Sequence, residues 1–324
     1  MSVQAIESIR NFGLIGVYVL EPAEPLPPMT QEDLEFERFQ IKAVSAIEEE
    51  LDRILKTRKQ SRIQTIADMV IRNYGHLDEK INFYQNLRSL EDYVSRHSLN
   101  VAILCAMITH VMNIRREEQY HTVCAALLHD MGKLKKHEDV YFGAPYSRED
   151  AIRNCETQEE AYSVIEDAFA TEGPAIRRIC QQAAGKQLDL FPEEGKESRY
   201  KMLEGSNVLL VANRYDEITA MTLQGTAQSE VKAAQELLEH PEVYDPETVQ
   251  ALLRSINILP PGASVELSTG EKALVLSENE ENVLCPTVVS FRDNSILNLA
   301  LPQNEDIQIV DVMKTMDNRY ILKK

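Results

Sequence analysis

Apolar residues recur at three- and four-residue intervals through most of the chain, and that spacing predicts helices. Leu34, Ile41, Val44, Leu51 and Leu55, widened by Ile47 and Ile54, form one stripe behind a capping-box-like start in which Thr30 precedes Asp33 by three residues. The stripe predicts a helix of about 25 residues. From residue 89 to about 253 the helical spacing continues with few glycines, over 99–112, 120–128, 161–169, 176–184, 203–220 and 227–238. Past Pro260 and Pro261 the period shortens, and 263–267, 272–277, 283–291, 296–301 and 307–312 read as short strands broken by Gly, Asn and Asp. At the other end an apolar run at 12–20 predicts a strand, cut off from the first helix by Pro22, Pro25, Pro27 and Pro28. The expected fold is therefore mainly α. A strand-plus-helix unit spans 1–88, a helical domain 89–255 and a small β unit 256–324.

A chain of 324 residues with 44% hydrophobic and 27% charged residues has ordinary globular usage, which excludes wholesale disorder and a membrane channel. The net charge of -18 would repel a nucleic-acid backbone, so no nucleic-acid partner is expected. Five scattered cysteines, with no C-x-x-C pair, argue against a disulfide framework and for a reducing compartment. The run at 12–20 is too short to span a bilayer, so a cytoplasmic protein without membrane attachment is expected. Between Glu21 and Leu55 there are 10 acidic and 3 basic residues, followed at once by Lys56, Arg58, Lys59 and Arg62. The apolar stripe of this helix either packs on its own chain or pairs N-terminal helices in a homodimer.

The chemistry concentrates in the run Ala125-Ala126-Leu127-Leu128-His129-Asp130-Met131-Gly132-Lys133-Leu134, with His97 placed 32 positions upstream. A His-Asp pair at the end of an apolar helix offers an imidazole nitrogen and a carboxylate, and a second helix bringing His97 would make three metal ligands. His121 is eight residues before His129, about 12 Å along a helix, too far for both to hold one ion. His76, His110, His137 and His240 have no ligand-like partner at helical spacing.

With this pattern in place the sequence resembles the HD superfamily of metal-dependent phosphohydrolases, and within it the HD-GYP branch. Val211-Ala212-Asn213-Arg214-Tyr215-Asp216-Glu217-Ile218-Thr219 is similar to that branch's V-A-D-x-(F/Y)-D-A-(L/I)-T. The stretch from Pro260 to Glu271 is similar to the Y-P-x-G-x-x-V-x-L-S-x-G-E that follows its helical core. The resemblance implies an HD-type helical bundle, a bacterial signalling role and hydrolysis of cyclic di-GMP at a two- or three-metal centre.

The chain departs from that pattern at the ligands. Where the branch has Q-H-H-E-x-x-D-G-x-G-Y-P, an ungapped comparison gives the stretch from Gln181 to Pro192, with Gln182 and Ala183 at the two histidines. A further ligand histidine falls near Thr157, and the metal-binding Asp of V-A-D is Asn213. Glu156 and Asp189 lie near two of these vacated positions. The resemblance thus leaves His97, His129 and Asp130 as a remnant metal set, with Asn213 at a family ligand position and Asp130 and Lys133 as candidate catalytic groups. Losing a carboxylate and three imidazoles removes charge and coordination number, so a second metal is not expected. The favoured expectation is a degenerate HD-GYP-like regulatory or binding scaffold with no cofactor. In it, His97, His129 and Asp130 form a hydrogen-bonded knot balanced by Lys133, with Gln182 and Asn213 bridging the vacated space. The alternative is a phosphohydrolase using one divalent Fe, Mn or Zn ion. Expected partners are a signalling protein or a cyclic dinucleotide, although the basic residues at 177–201 are matched by acids and form no basic patch.

Overall fold

The structure, a computed structural model, describes residues 31–83, 85, 87–135, 147–191, 201–222 and 227–313. The expected strand at 12–20 lies outside these residues. The first helix, α1, runs over Gln31–Thr57, as its stripe predicts. Next comes α2 (Ile63–Tyr74), which the sequence reading did not single out. Its start is capped from a distance: buried Glu50 on α1 accepts hydrogen bonds from the backbone N–H groups of Ser61 and Arg62, while Arg62 at the N-cap offers no capping side chain. A local reading of 60–63 cannot see that cap.

The bundle is organised around α3 (Tyr93–Val111), in which 16 of 19 residues are buried. A helix apolar on nearly every side must be surrounded, and α1, α2, α4 (Arg116–Leu128), α7 (Glu204–Thr219) and α9 (Pro246–Ser255) all pack against it. α5 (Arg148–Phe169) opens with a Ser147–Asp150 capping box and packs on α6 (Gly173–Lys186), which in turn lies against α4 and α7. α8 (Glu230–Glu239) starts at Ser229, whose hydroxyl accepts from the Lys232 N–H, and α9 starts at Asp245 with Pro246 in its first turn. Both α2 and α9 extend the helical content beyond the predicted stretches. Among the described residues no helix is long and apolar enough to cross a membrane.

The C-terminal unit is the expected small β unit, and its strands β1 (Ser264–Leu267), β2 (Lys272–Ser277), β3 (Thr287–Ser290), β4 (Ile296–Asn298) and β5 (Ile309–Val312) form an all-antiparallel sheet in the order β4-β3-β2-β1-β5. It is joined to the bundle through α8, where the Gln235 side chain donates to the Ile309 carbonyl at 2.9 Å. Val265, Leu267, Ala273, Val275, Val288 and Ile309 belong to one core cluster that begins at Ala43. The segment before α3 is stitched in as well: the Ile81 N–H donates to the Ser255 carbonyl, the Ile81 carbonyl accepts from the Asn257 N–H, and the Arg88 N–H donates to the Met221 carbonyl at 2.8 Å. That last bond carries the Arg88 side chain into the bundle, where it meets the site.

Candidate metal centre

Three helices meet where the expected ligands lie. His97 comes from α3, His129 caps the C-terminus of α4, and Asp130 comes next, at the start of the 3-10 turn Met131–Lys135. Their ligand atoms lie within 4.8 Å of one another, and among the described residues they are the one group of three metal-ligating side chains. Asn213 of α7 completes the set, its Oδ1 standing 2.9 Å from His97 Nε2 and 2.8 Å from His129 Nε2. The two Nε2 atoms are 3.1 Å apart, and Asp130 Oδ2 is 3.5 Å from His97 Nε2. All four side chains are buried.

The outer partners of this cluster fix its protons. His97 Nδ1 lies 2.6 Å from Asp216 Oδ2, and a carboxylate can only accept, so Nδ1 carries the proton and Nε2 presents a lone pair inward. His129 Nδ1 faces the Ala126 carbonyl at 2.8 Å, which likewise fixes the proton on Nδ1 and leaves Nε2 as an acceptor. The Asn213 NH2 donates outward to Glu217 Oε1 at 3.2 Å, so its oxygen points inward. Asp130 is held by Lys133 Nζ on Oδ2 at 2.6 Å and by Gln158 Nε2 on Oδ1 at 3.2 Å. The centre is therefore a convergence of acceptors: two imidazole lone pairs, an amide oxygen and a carboxylate, with no donor among them to bind the others.

The electrostatics support that state. Burial pushes the His129 pKa down and outweighs the pull of Asp130, with the Lys133 charge adding to the shift, so the ring is held neutral. Burial opposes ionisation of Asp130, but the charge and hydrogen bond of Lys133 act against it, and the carboxyl is held well below its usual range. Asp216 is treated in the same way. Burial raises its pKa, while the charge of Arg88 and hydrogen bonds from His97 and Arg88 lower it further than burial raises it. Arg88 grips Asp216 with both terminal nitrogens at 2.7 Å, and Gln85 and Asn100 add bonds of 2.9 and 3.0 Å to the same carboxylate. The Arg88 and Asp216 side chains are both fully buried.

A cavity of about 30 Å³ opens beside the donors, space for a water or two. His129, Asp130, Lys133, Asn213 and Glu217 form one wall; Asn154, Cys155, Gln158, Ala183, Ala184 and Gln187 stand on the other side. This corrects part of the sequence reading. Gln182 does not bridge the site: its oxygen accepts from the Leu203 N–H and the Ser206 hydroxyl, both at 2.9 Å, and so ties α6 to the start of α7. Thr157 does not line the cavity either, because the α5 turn presents Asn154 and Gln158. Glu156 is exposed, and Asp189 pairs with Lys186 at 2.7 Å, so neither replaces a lost ligand. Of the remaining histidines, His110 pairs with Asp78 and His240 with Glu242 at the surface, and His137 lies outside the described residues.

Four contributors escaped the sequence reading: Arg88, Gln158, Asp216 and Glu217. Asp216 stood in the quoted α7 motif, but its partner Arg88 is 128 residues away, and nothing local marks the pair. Lys133, expected as a catalytic group, is buried on Asp130.

Residues 94–221 match the family model of the HD domain, a span that includes every donor named above and Asp216, and stops short of Arg88 on one side and the sheet on the other. No curated protein and no solved structure matches the chain.

Proposed function

We propose, taking the HD domain at 94–221 as the starting point, that this protein is a degenerate HD-GYP-like signalling protein. It keeps a single metal-binding centre and acts as a regulatory or binding scaffold, without efficient hydrolysis of cyclic di-GMP. The observation that supports it is the inward convergence of four acceptors around His97 and His129. With the Asn213 oxygen inward, a knot held by hydrogen bonds alone needs a proton between the two Nε2 atoms, and burial works against protonating His129. A cation satisfies all four acceptors at once. Two imidazoles, a carboxylate and a neutral oxygen suit a divalent Fe, Mn or Zn ion, and His97, His129, Asp130 and Asn213 would hold it.

When bound, such an ion supplies Lewis-acid polarisation. The chain's own residues keep the donors ready for it. Lys133 holds Asp130 ionised, and Asp216 and the Ala126 carbonyl keep both rings facing inward. Opposite them, where a second metal would need ligands, stand Asn154, Gln158, Gln187 and two alanines, which bring neither charge nor imidazole. Cys155, on the same side, retains its proton, since burial pushes its thiol up to about 11. The signalling role draws on the HD-GYP resemblance. Pairing of N-terminal helices in a homodimer is part of the proposal, and Ile41, 65% exposed on α1, supports it.

Elemental analysis of protein purified without chelator tests the reading, with Asp130→Asn as control and cyclic di-GMP hydrolysis assayed in parallel with iron or manganese. One ion per chain, lost in the control, with no turnover is expected. Two ions with turnover would restore the phosphodiesterase, and no ion would remove the metal from the account.

A further inference from the structure

The Asn213 amide has a problem that a carboxylate at the same place would not have. Its two ends are nearly identical in shape and opposite in hydrogen-bonding sense. With the oxygen inward it adds a ligand to the centre. With the NH2 inward it would donate to the two imidazole lone pairs, satisfy the cluster and exclude a cation. Contacts to the histidines alone favour the second orientation, because acceptors at 2.8 and 2.9 Å attract N–H and repel oxygen.

Glu217 tips this balance. It lies one turn further along α7, is 6% exposed, and takes the Asn213 NH2 on Oε1 at 3.2 Å. Its other oxygen faces Arg214 Nη1 at 3.4 Å, and Arg214 is anchored on Glu236 at 2.7 Å. An ionised carboxylate cannot donate, so turning the amide over would set oxygen against oxygen at the position Nδ2 now occupies. The sequence carries the same relation. In the motif V-A-D-x-(F/Y)-D-A-(L/I)-T the places of 213 and 217 hold Asp and Ala, whereas this chain has Asn and Glu.

We infer that Glu217 is a positioning residue for the metal centre, holding the Asn213 amide with its oxygen toward His97 and His129. This rests on the single-metal reading above for its consequence, but the amide orientation can be tested without metal. In protein labelled with 15N-asparagine and freed of metal, the Asn213 amide protons should show NOEs to the Glu217 methylenes. In Glu217→Met, which keeps the volume and loses the acceptor, they should move to the imidazole protons of His97 and His129. Glu217→Gln, which retains an acceptor, should preserve the native pattern. Glu217→Ala replaces the methionine variant if that one does not fold. An unchanged orientation in the variant without an acceptor would overturn the inference.

The second arm measures Mn2+ and Zn2+ affinity. Loss of the acceptor should weaken binding about 10- to 100-fold, as for other outer partners of metal ligands, and have little effect in an Asn213→Asp background, where no amide needs orienting. Equal losses in both backgrounds would reduce Glu217 to packing and overturn the inference. Absence of metal binding in the unaltered protein would instead sink the single-metal reading, with the NOE result still deciding the role of Glu217.

Discussion

On the donor side of the site, built from α3, α4, α7 and the turn after α4, each donor atom is fixed by a second group: His97 by Asp216, His129 by the Ala126 carbonyl, Asp130 by Lys133 and Gln158, Asn213 by Glu217. On the facing side, from α5 and α6, the lining side chains are amides, alanines, Tyr162 and the thiols of Cys155 and Cys180, and none of them is a carboxylate or an imidazole. A site that had simply decayed would lose its supports along with its ligands, because a buried ion pair such as Arg88–Asp216 contributes little to stability beyond what apolar packing could supply. One wall here is fully supported and the other lacks charged ligands. The two sides of the site are thus held to different degrees.

The largest effect on this contrast should come from Asp216→Ala. It leaves the Arg88 guanidinium buried without its counter-charge, and breaking such a pair from one side costs about 3–5 kcal/mol. Urea unfolding reads the loss, and replacing both partners by apolar residues should recover most of it. A loss under about 1 kcal/mol for the single variant would mean that the donor wall is far less constrained than its geometry indicates.

Gly132→Ala should come next. A Cβ there would stand 2.5 Å from the Thr157 carbonyl oxygen and 2.6 Å from Gln158 Oε1, so the turn carrying Asp130 must separate from α5. Overpacking of this kind costs about 1–3 kcal/mol, and because Gln158 joins the Gly132 N–H to Asp130, metal affinity should fall as well. Unchanged stability by chemical denaturation would show that the two walls are not in tight contact.

Acid should act on the donor wall in two stages, measured on chelator-treated protein. His129 has a folded pKa below its ordinary 6.5, so the unfolded chain takes up a proton that the fold refuses, and stability declines as pH falls below about 6.5 toward the folded value. Asp216 has a folded pKa below its ordinary 3.8. Its contribution is complete above that value and is lost only as pH drops further, through the folded one. A stability profile flat from about pH 7 to 5 would contradict the neutral, buried His129.

The smallest effect is expected at Gln182→Ala. This residue ties α6 to α7 outside the cavity, so metal content should not change, and stability should fall by about 1 kcal/mol for the lost hydrogen bonds. A change in metal content would return Gln182 to the facing wall, where the ungapped comparison with the HD-GYP motif puts it.

Much of this could be read in the sequence because it is local. The α1 stripe, the six helical stretches and the five β-prone runs are each decided by the spacing of apolar residues within one element, although α3 and α4 start earlier than their stripes and α5 starts well before its own, at Arg148. His97, His129 and Asp130 were legible as candidate ligands because chemistry and helical context coincide over a few residues. The positions on α5 and α6 were not, since which residue of a turn faces a cavity depends on the rotation of the helix, and Asn154 and Gln158 differ from Thr157 by less than one turn.

Read alone, the sequence carried the helical bundle with its terminal sheet and the types and spacing of His97, His129 and Asp130. Tertiary structure decided the rest: that Glu50 caps α2, that Arg88 reaches Asp216, that Gln158 and not Gln182 meets the site, and that four acceptors point at one another. The reason is physical. A side chain's type is written at its own position, but its protonation, tautomer and orientation are set by whichever group lies opposite, and in this protein that group is often more than a hundred residues away.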